Sequence, residues 1–159
     1  MNRVRWHNVV FRNLTTDAEH ALLDSRAVIS GFSMLVERPT AGHRDATPQP
    51  PALALLFVVT TRDTNRNGVL DAGDLQSLIL TGPTGENPRV ITPDGTVMTN
   101  VQFYAPARKL LIELRRDTDD DGVVNYDDEP AQYICDVPGG TARPLISSDT
   151  ASRVRALLK

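Results

Sequence analysis

The chain has 159 residues, with 20 acidic and 17 basic side chains, a net charge of −3, and 40% apolar against 23% charged residues. This is a folding composition and not a disordered one, at a length that suits one domain and is too short for a propeller of four or more blades. The near-balanced charge, with no basic cluster beyond Arg115-Arg116, gives no footprint for nucleic acid, and no apolar run is long enough for a membrane helix.

The opening residues Met1 to Trp6 carry charges without an apolar stretch behind them, so no secretory signal is expected there. Strands are expected over 8–14, with Val9 and Phe11 prominent, over 21–23, and over 27–36. Pro39, Gly42, Pro48, Pro50 and Pro51 then crowd a polar stretch that reads as a loop or hinge. Four short apolar segments follow, at 53–60, 75–81, 97–104 and 109–114, each bounded by Gly, Pro, Asn or Asp. Such spacing predicts an antiparallel meander and not alternating βαβ units. Cys135, the single cysteine, falls in a strand-like Tyr133-Ile134-Cys135 and reads as a small core residue. After Ser148, Ala151, Val154, Leu157 and Leu158 share one face and Arg153, Arg155 and Lys159 suit the negative end of a helix dipole, so a short terminal helix packing on the sheet is expected.

The chain repeats itself at an offset of 54 to 55 residues. Leu55 to Asp63 aligns with Lys109 to Asp117, Leu78-Ile79-Leu80 with Tyr133-Ile134-Cys135, Gly85 with Gly140, and Val90-Ile91-Thr92 with Leu145-Ile146-Ser147.

Within each copy lies a twelve-residue stretch with oxygen side chains at alternate positions. The first supplies Asp63, Asn65, Asn67, the carbonyl of Val69, Asp71 and Asp74, with Gly68 at the sharp turn. The second supplies Asp117, Asp119, Asp121, the carbonyl of Val123, Asn125 and Asp128, with Gly122 at the turn. Ca²⁺ is a hard ion that takes six to eight oxygens, and a loop that wraps around it delivers them from positions 1, 3, 5, 7, 9 and 12. Two Ca²⁺ sites are therefore expected. Fifteen acids are Asp and five are Glu, and nine of those Asp residues lie in the two loops, so one chemical device used twice explains most of the bias. Two bound ions would carry the charge from −3 to +1. The second loop has four ligand carboxylates against three in the first and should bind more tightly; Asp at position 12 is shorter than the Glu of calcium sensors, which points to millimolar or high-micromolar affinity.

An EF-hand or dockerin-like calcium-dependent binding protein is the alternative reading, but the strand-like residues ahead of both loops and Pro130 after the second argue against helices beside the loops. A hydrolase is a further alternative, but His7, His20 and His43 are scattered and lie in no recognisable Ser or Cys motif, so no catalysis is expected.

The unit from Val101-Gln102-Phe103-Tyr104 through Ala105-Pro106-Ala107-Arg108-Lys109 into Leu110-Leu111-Ile112, followed by Gly139-Gly140 and Pro144-Leu145-Ile146, resembles a blade of the TolB-like (WD40-like) β-propellers. The turn keeps the Pro and Lys of that family but lacks its Asp-Gly. Asp74 to Pro93 resembles the outer strands of a preceding blade. The resemblance covers about Leu53 to Ser147. It implies a mainly β chain of about two and a half blades: a partial blade over 1–37, a blade with the first calcium loop over 52–93, one with the second over 97–147, and the terminal helix over 148–159, in a single domain. So few blades cannot close a ring, and an open sheet edge implies a protein partner or self-association. Calcium of this affinity, together with the resemblance, implies a periplasmic or extracellular setting.

Overall fold

A computed structural model describes residues 6–37, 50–71, 73–118, 124–125 and 127–157. The expected Pro-rich loop lies largely outside them. Ten strands and one α-helix occupy the described residues. A hairpin pairs β1 (Val10–Arg12) with β2 (Glu19–Ala21), Val10 opposite Ala21. A first four-stranded sheet runs β3 (Val28–Val36), β4 (Ala52–Thr60), β5 (Ser77–Thr81) and β6 (Arg89–Val90) in spatial order. The second runs β7 (Thr96–Tyr104), β8 (Lys109–Arg116), β9 (Pro130–Asp136) and β10 (Arg143–Pro144). All neighbours are antiparallel, so each sheet is a meander in chain order.

Burial explains which segments alternate and which do not. On β4, Ala54 and Leu56 face one way and join Leu78, Leu80, Leu110, Ile112, Leu114 and Cys135 in a core between the two sheets. Leu55, Phe57 and Val59 face the other way and pack with Leu22, Ile29, Ile79 and, from the hairpin, Val9 and Phe11. The first sheet is thus the middle layer, covered on both faces, which is why β4 reads as a continuous apolar run. β8 has only one buried face. Leu110, Ile112 and Leu114 point inward, while Lys109, Leu111, Glu113 and Arg115 are half-buried. On that outer face Lys109 pairs with Asp136, the Gln132 amide donates to Glu113 Oε2 at 2.8 Å, and the Thr99 hydroxyl donates to Glu113 Oε1 at 2.7 Å.

A bulge in β3 between Ile29 and Gly31 moves the strand by one residue, so Ile29 packs on the hairpin side whereas Leu35 reaches the inter-sheet core. Arg89 ties the first sheet to the turn after β9, donating to the Gly139 carbonyl at 2.7 Å and to that of Pro138. β3 and β7 are both outermost strands. Between them lies a cleft of about 300 Å³ lined by Ser33, Leu35, Val36, Val101, Phe103 and Ala105, and the Glu37–Arg108 ion pair links Glu37, just past the end of β3, to the turn between β7 and β8.

The mainly β, antiparallel architecture with one short C-terminal helix follows the sequence expectation. Three features differ. β3, expected in a separate partial blade over 1–37, is paired along its length with β4, because the Pro-rich stretch connects two strands of one sheet. The strand expected at 21–23 is shifted to Glu19–Ala21, and Leu22 instead plugs the core at 3% exposure. The terminal helix α1 (Ser148–Leu157) forms where expected but buries none of its residues, with Leu157 85% exposed. Its apolar residues are few and interleaved with Arg153 and Arg155, and its first turn is held locally by the Ser147 carbonyl and hydroxyl, which accept from the Ala151 and Thr150 N–H groups at 2.9 and 3.3 Å.

Candidate metal centre

Both Asp-rich loops connect the second strand of a meander to the third: β4 to β5 and β8 to β9. The repeat in sequence is therefore a repeat in topology. Each element beside the loops is a strand, in keeping with the β-branched and bulky residues there.

In the first loop a chain of short-range bonds curls the backbone around its side chains. Asp63 accepts the Asn67 N–H on Oδ1 at 3.1 Å and the Gly68 N–H on Oδ2 at 2.7 Å. Asn65 Oδ1 accepts from Asn67 at 3.0 Å, Asn67 Oδ1 from Val69 at 2.8 Å, and Asp71 Oδ1 from Gly73 at 2.8 Å. Short Asn and Asp side chains favour such turns because each oxygen reaches the N–H two residues on. Gly68 sits at φ +82°, a left-handed conformation that disfavours any side chain. A Cβ on Gly73 would meet Asn65 Nδ2 at 2.9 Å and Asp71 Oδ1 at 3.1 Å, so the side chains at loop positions 3 and 9 converge there.

The ends of the loop are joined by Asp74. Its Oδ1 accepts from the Thr64 N–H at 2.7 Å, the Asn65 N–H at 3.2 Å and the Thr64 hydroxyl at 3.3 Å, and its Oδ2 from the Asp71 N–H at 2.9 Å. The Thr64 hydroxyl in turn accepts from the Leu75 N–H at 2.9 Å. Asp74 is 4% exposed. Its carboxyl is held below the usual range, chiefly by the Asp71 N–H, with burial acting in the opposite direction and the Asn65 and Thr64 donors adding to the depression.

The second loop makes the same closure. Asp128 Oδ1 accepts from the Thr118 N–H at 2.6 Å and hydroxyl at 2.9 Å, Oδ2 accepts from the Asn125 N–H at 2.8 Å, and the Thr118 hydroxyl accepts from Glu129 at 3.2 Å. Asp128 is 1% exposed, and its carboxyl is lowered first by the Asn125 N–H and then by that of Thr118. Asn125 Oδ1 accepts from Asp127 at 2.6 Å, as Asp71 does from Gly73. Asp117 follows β8 and is half-buried. Asp119, Asp121 and Val123 lie outside the described residues.

The donor set is chemically suited to a hard cation: carboxylate, amide and carbonyl oxygens, without sulfur or imidazole. Among the described residues no three His, Cys, Asp or Glu side chains are gathered closely enough to hold a metal ion. Asn65 and Asn67 are neutral members of the first set, and two of the second loop's four ligand-position carboxylates, Asp119 and Asp121, are outside the described residues. The threonines at loop position 2 are the residues that sequence reasoning missed; their signal is the Asp-Thr pair that opens both loops.

Elsewhere, His7 Nδ1 lies 3.2 Å from the Ala27 carbonyl, His20 stacks on Phe11 at 5.1 Å, and Cys135 is buried, its thiol pushed up by desolvation. His43 lies outside the described residues. No described helix is long and apolar enough to cross a membrane. No protein-family model, curated protein or solved structure matches the chain.

Proposed function

We propose that this protein is a calcium-binding, non-catalytic β-rich module in which Ca²⁺ ties the end of one strand to the start of the next and the open sheet edges serve protein–protein interaction. The observation that carries the reading is the equivalence of the two loops: both join the second and third strands of a meander, and both close through the same threonine and aspartate. In the first loop Asp63, Asn65, Asn67, Val69, Asp71 and Asp74 would hold the ion, and in the second Asp117, Asp119, Asp121, Val123, Asn125 and Asp128. The ion supplies no reaction. It neutralises facing carboxylates and stabilises the folded state in proportion to its occupancy.

The two meanders, each with a long first strand and a two-residue fourth, are read as propeller-like blades. The nine-residue outermost strands β3 and β7 and the cleft between them favour a partner that adds to an edge, either a second copy or another protein. A calcium-dependent module of this kind belongs in the periplasm or outside the cell, where calcium is abundant. An EF-hand or dockerin-like reading draws no support from the strands on both sides of each loop.

Calorimetric titration tests the reading. Calcium heat in the wild type that disappears in an Asp63→Ala, Asp117→Ala double variant supports it, and wild-type heat no larger than that of the variant overturns it.

A further inference from the structure

We propose that Asn67-Gly68 is a self-modification site, a deamidating and isomerising dipeptide that the folded loop restrains through Asp63. No ion takes part, and the chemistry uses only the chain and water.

An asparagine followed by glycine cyclises when the glycine backbone nitrogen attacks the asparagine Cγ. The N–Cγ bond forms, the Cγ–Nδ2 bond breaks, the nitrogen's proton passes through water to the departing amino group, and ammonia leaves. Water then opens the five-membered imide at either carbonyl, leaving Asp or isoaspartate in place of Asn, with no change of oxidation state. Glycine is the best follower because it has no Cβ to obstruct the approach. Asn67 alone among the asparagines of the chain precedes a glycine; Asn8 and Asn100 precede Val, Asn13 precedes Leu, and Asn87 precedes Pro88, which has no N–H.

Ring closure needs a free lone pair on the Gly68 nitrogen and the Asn67 Cγ turned toward it. The folded loop opposes both. The Gly68 N–H donates to Asp63 Oδ2 at 2.7 Å, a charge-assisted bond that keeps the nitrogen engaged, and the Asn67 N–H donates to Asp63 Oδ1 at 3.1 Å. One carboxylate thus holds the backbone of both reacting residues. Asn67 Oδ1 is meanwhile fixed by the Val69 N–H at 2.8 Å. At least the bonds to Gly68 and from Val69 must break before the ring can form, so the reaction proceeds through local opening of the loop. Such openings are the least costly where residues are exposed, as Asn67 and Gly68 are, and a Cβ on Gly68 would meet nothing within 4 Å, so water has access. The product is one-way. It sets a new carboxylate beside Asp63, and isoaspartate adds a methylene to the backbone, which prevents the original pair of bonds to Asp63 from re-forming together.

The full chain is incubated in chelator at mildly alkaline pH, both native and in urea, and conversion is followed by peptide mass spectrometry with isoaspartate detection. In urea Asn67 should convert well ahead of Asn100, and Gly68→Ala should slow it. The native chain should convert at least about tenfold more slowly, and Asp63→Ala should raise the native rate at least about threefold. Persistence of Asn67 in urea overturns the site. A native rate equal to that in urea, or a native rate unchanged by Asp63→Ala, overturns the restraint. Where Asp63→Ala does not fold, hydrogen exchange of the wild-type Gly68 amide decides: protection matching the native slowing supports the restraint, and an unprotected amide overturns it.

Discussion

Ile112 and Leu111 are neighbours on β8 that face opposite ways, and truncating each in turn tests whether the second sheet has one covered face or two. Ile112 is fully buried in the core between the sheets, opposite Val101 and Tyr133. Leu111 is half-buried, opposite Gln102 and Ile134, on the face that carries the Lys109–Asp136 pair. Removing buried methylenes costs the lost transfer free energy and a cavity contribution, which for a site closed on all sides puts Ile112→Ala at about 4 kcal/mol. Leu111→Ala loses roughly half a side chain's burial and leaves a dent open to water, so about 1 kcal/mol is expected. For a chain of this size these correspond to falls in melting temperature of about 12 °C and 3 °C. Urea denaturation at fixed chelator and fixed protein concentration reads both, and dilution checks for self-association. Equal losses for the two variants would refute the assignment of an open outer face and would mean that Leu111 is covered in solution.

Raising free Ca²⁺ to about 100 times its dissociation constant should stabilise the fold by about 2.7 kcal/mol per occupied site, seen as a higher melting temperature that chelator reverses; a melt that ignores both leaves the loops without a calcium-linked role. Gly68→Ala should destabilise by about 1 kcal/mol because an L-residue resists φ +82°, whereas Gly139→Ala, at a position with no neighbour within 4 Å and without a positive φ, should be silent in the same denaturation series. Glu113 accepts from the Thr99 hydroxyl first and the Gln132 amide second, and both hold its carboxyl below the usual value. The unfolded chain therefore takes up this proton first as pH falls. Its contribution is complete above about pH 4.5 and lost as pH falls through the lower folded value, so Glu113→Gln should flatten the drop in urea midpoint between pH 5 and 3; an unchanged pH profile would remove Glu113 from the account.

The loops were legible because what forms them is local. An Asn or Asp oxygen reaches the N–H two residues ahead, and a glycine at the turn accepts a positive φ, so Asn65, Asn67, Asp71 and Gly68 announce their geometry from sequence spacing alone. The hydrogen-bonded closure of each loop was not legible in the same way. Thr64 and Asp74 are ten residues apart, and Thr118 and Asp128 likewise, so their contact requires the loop to be closed first. The short strand β2 was displaced for a related reason: Leu22 is apolar because it plugs the core behind the hairpin and not because it extends a strand.

By itself, the sequence determined the strand-rich class, the two-copy repeat, the position of the oxygen-bearing loops and the start of the terminal helix, since all of these depend on turn chemistry and on periodicity within a dozen residues. Only the tertiary structure decided that β3 joins β4 across the Pro-rich stretch, and that the first sheet is buried on both faces while the second keeps one toward solvent. It also decided that the helix stays uncovered. Apolar patterning states that a face must be buried; which surface buries it is set by the competition among all the surfaces of the chain, and here the inter-sheet core took β4 and β8 and left α1 with nothing to cover.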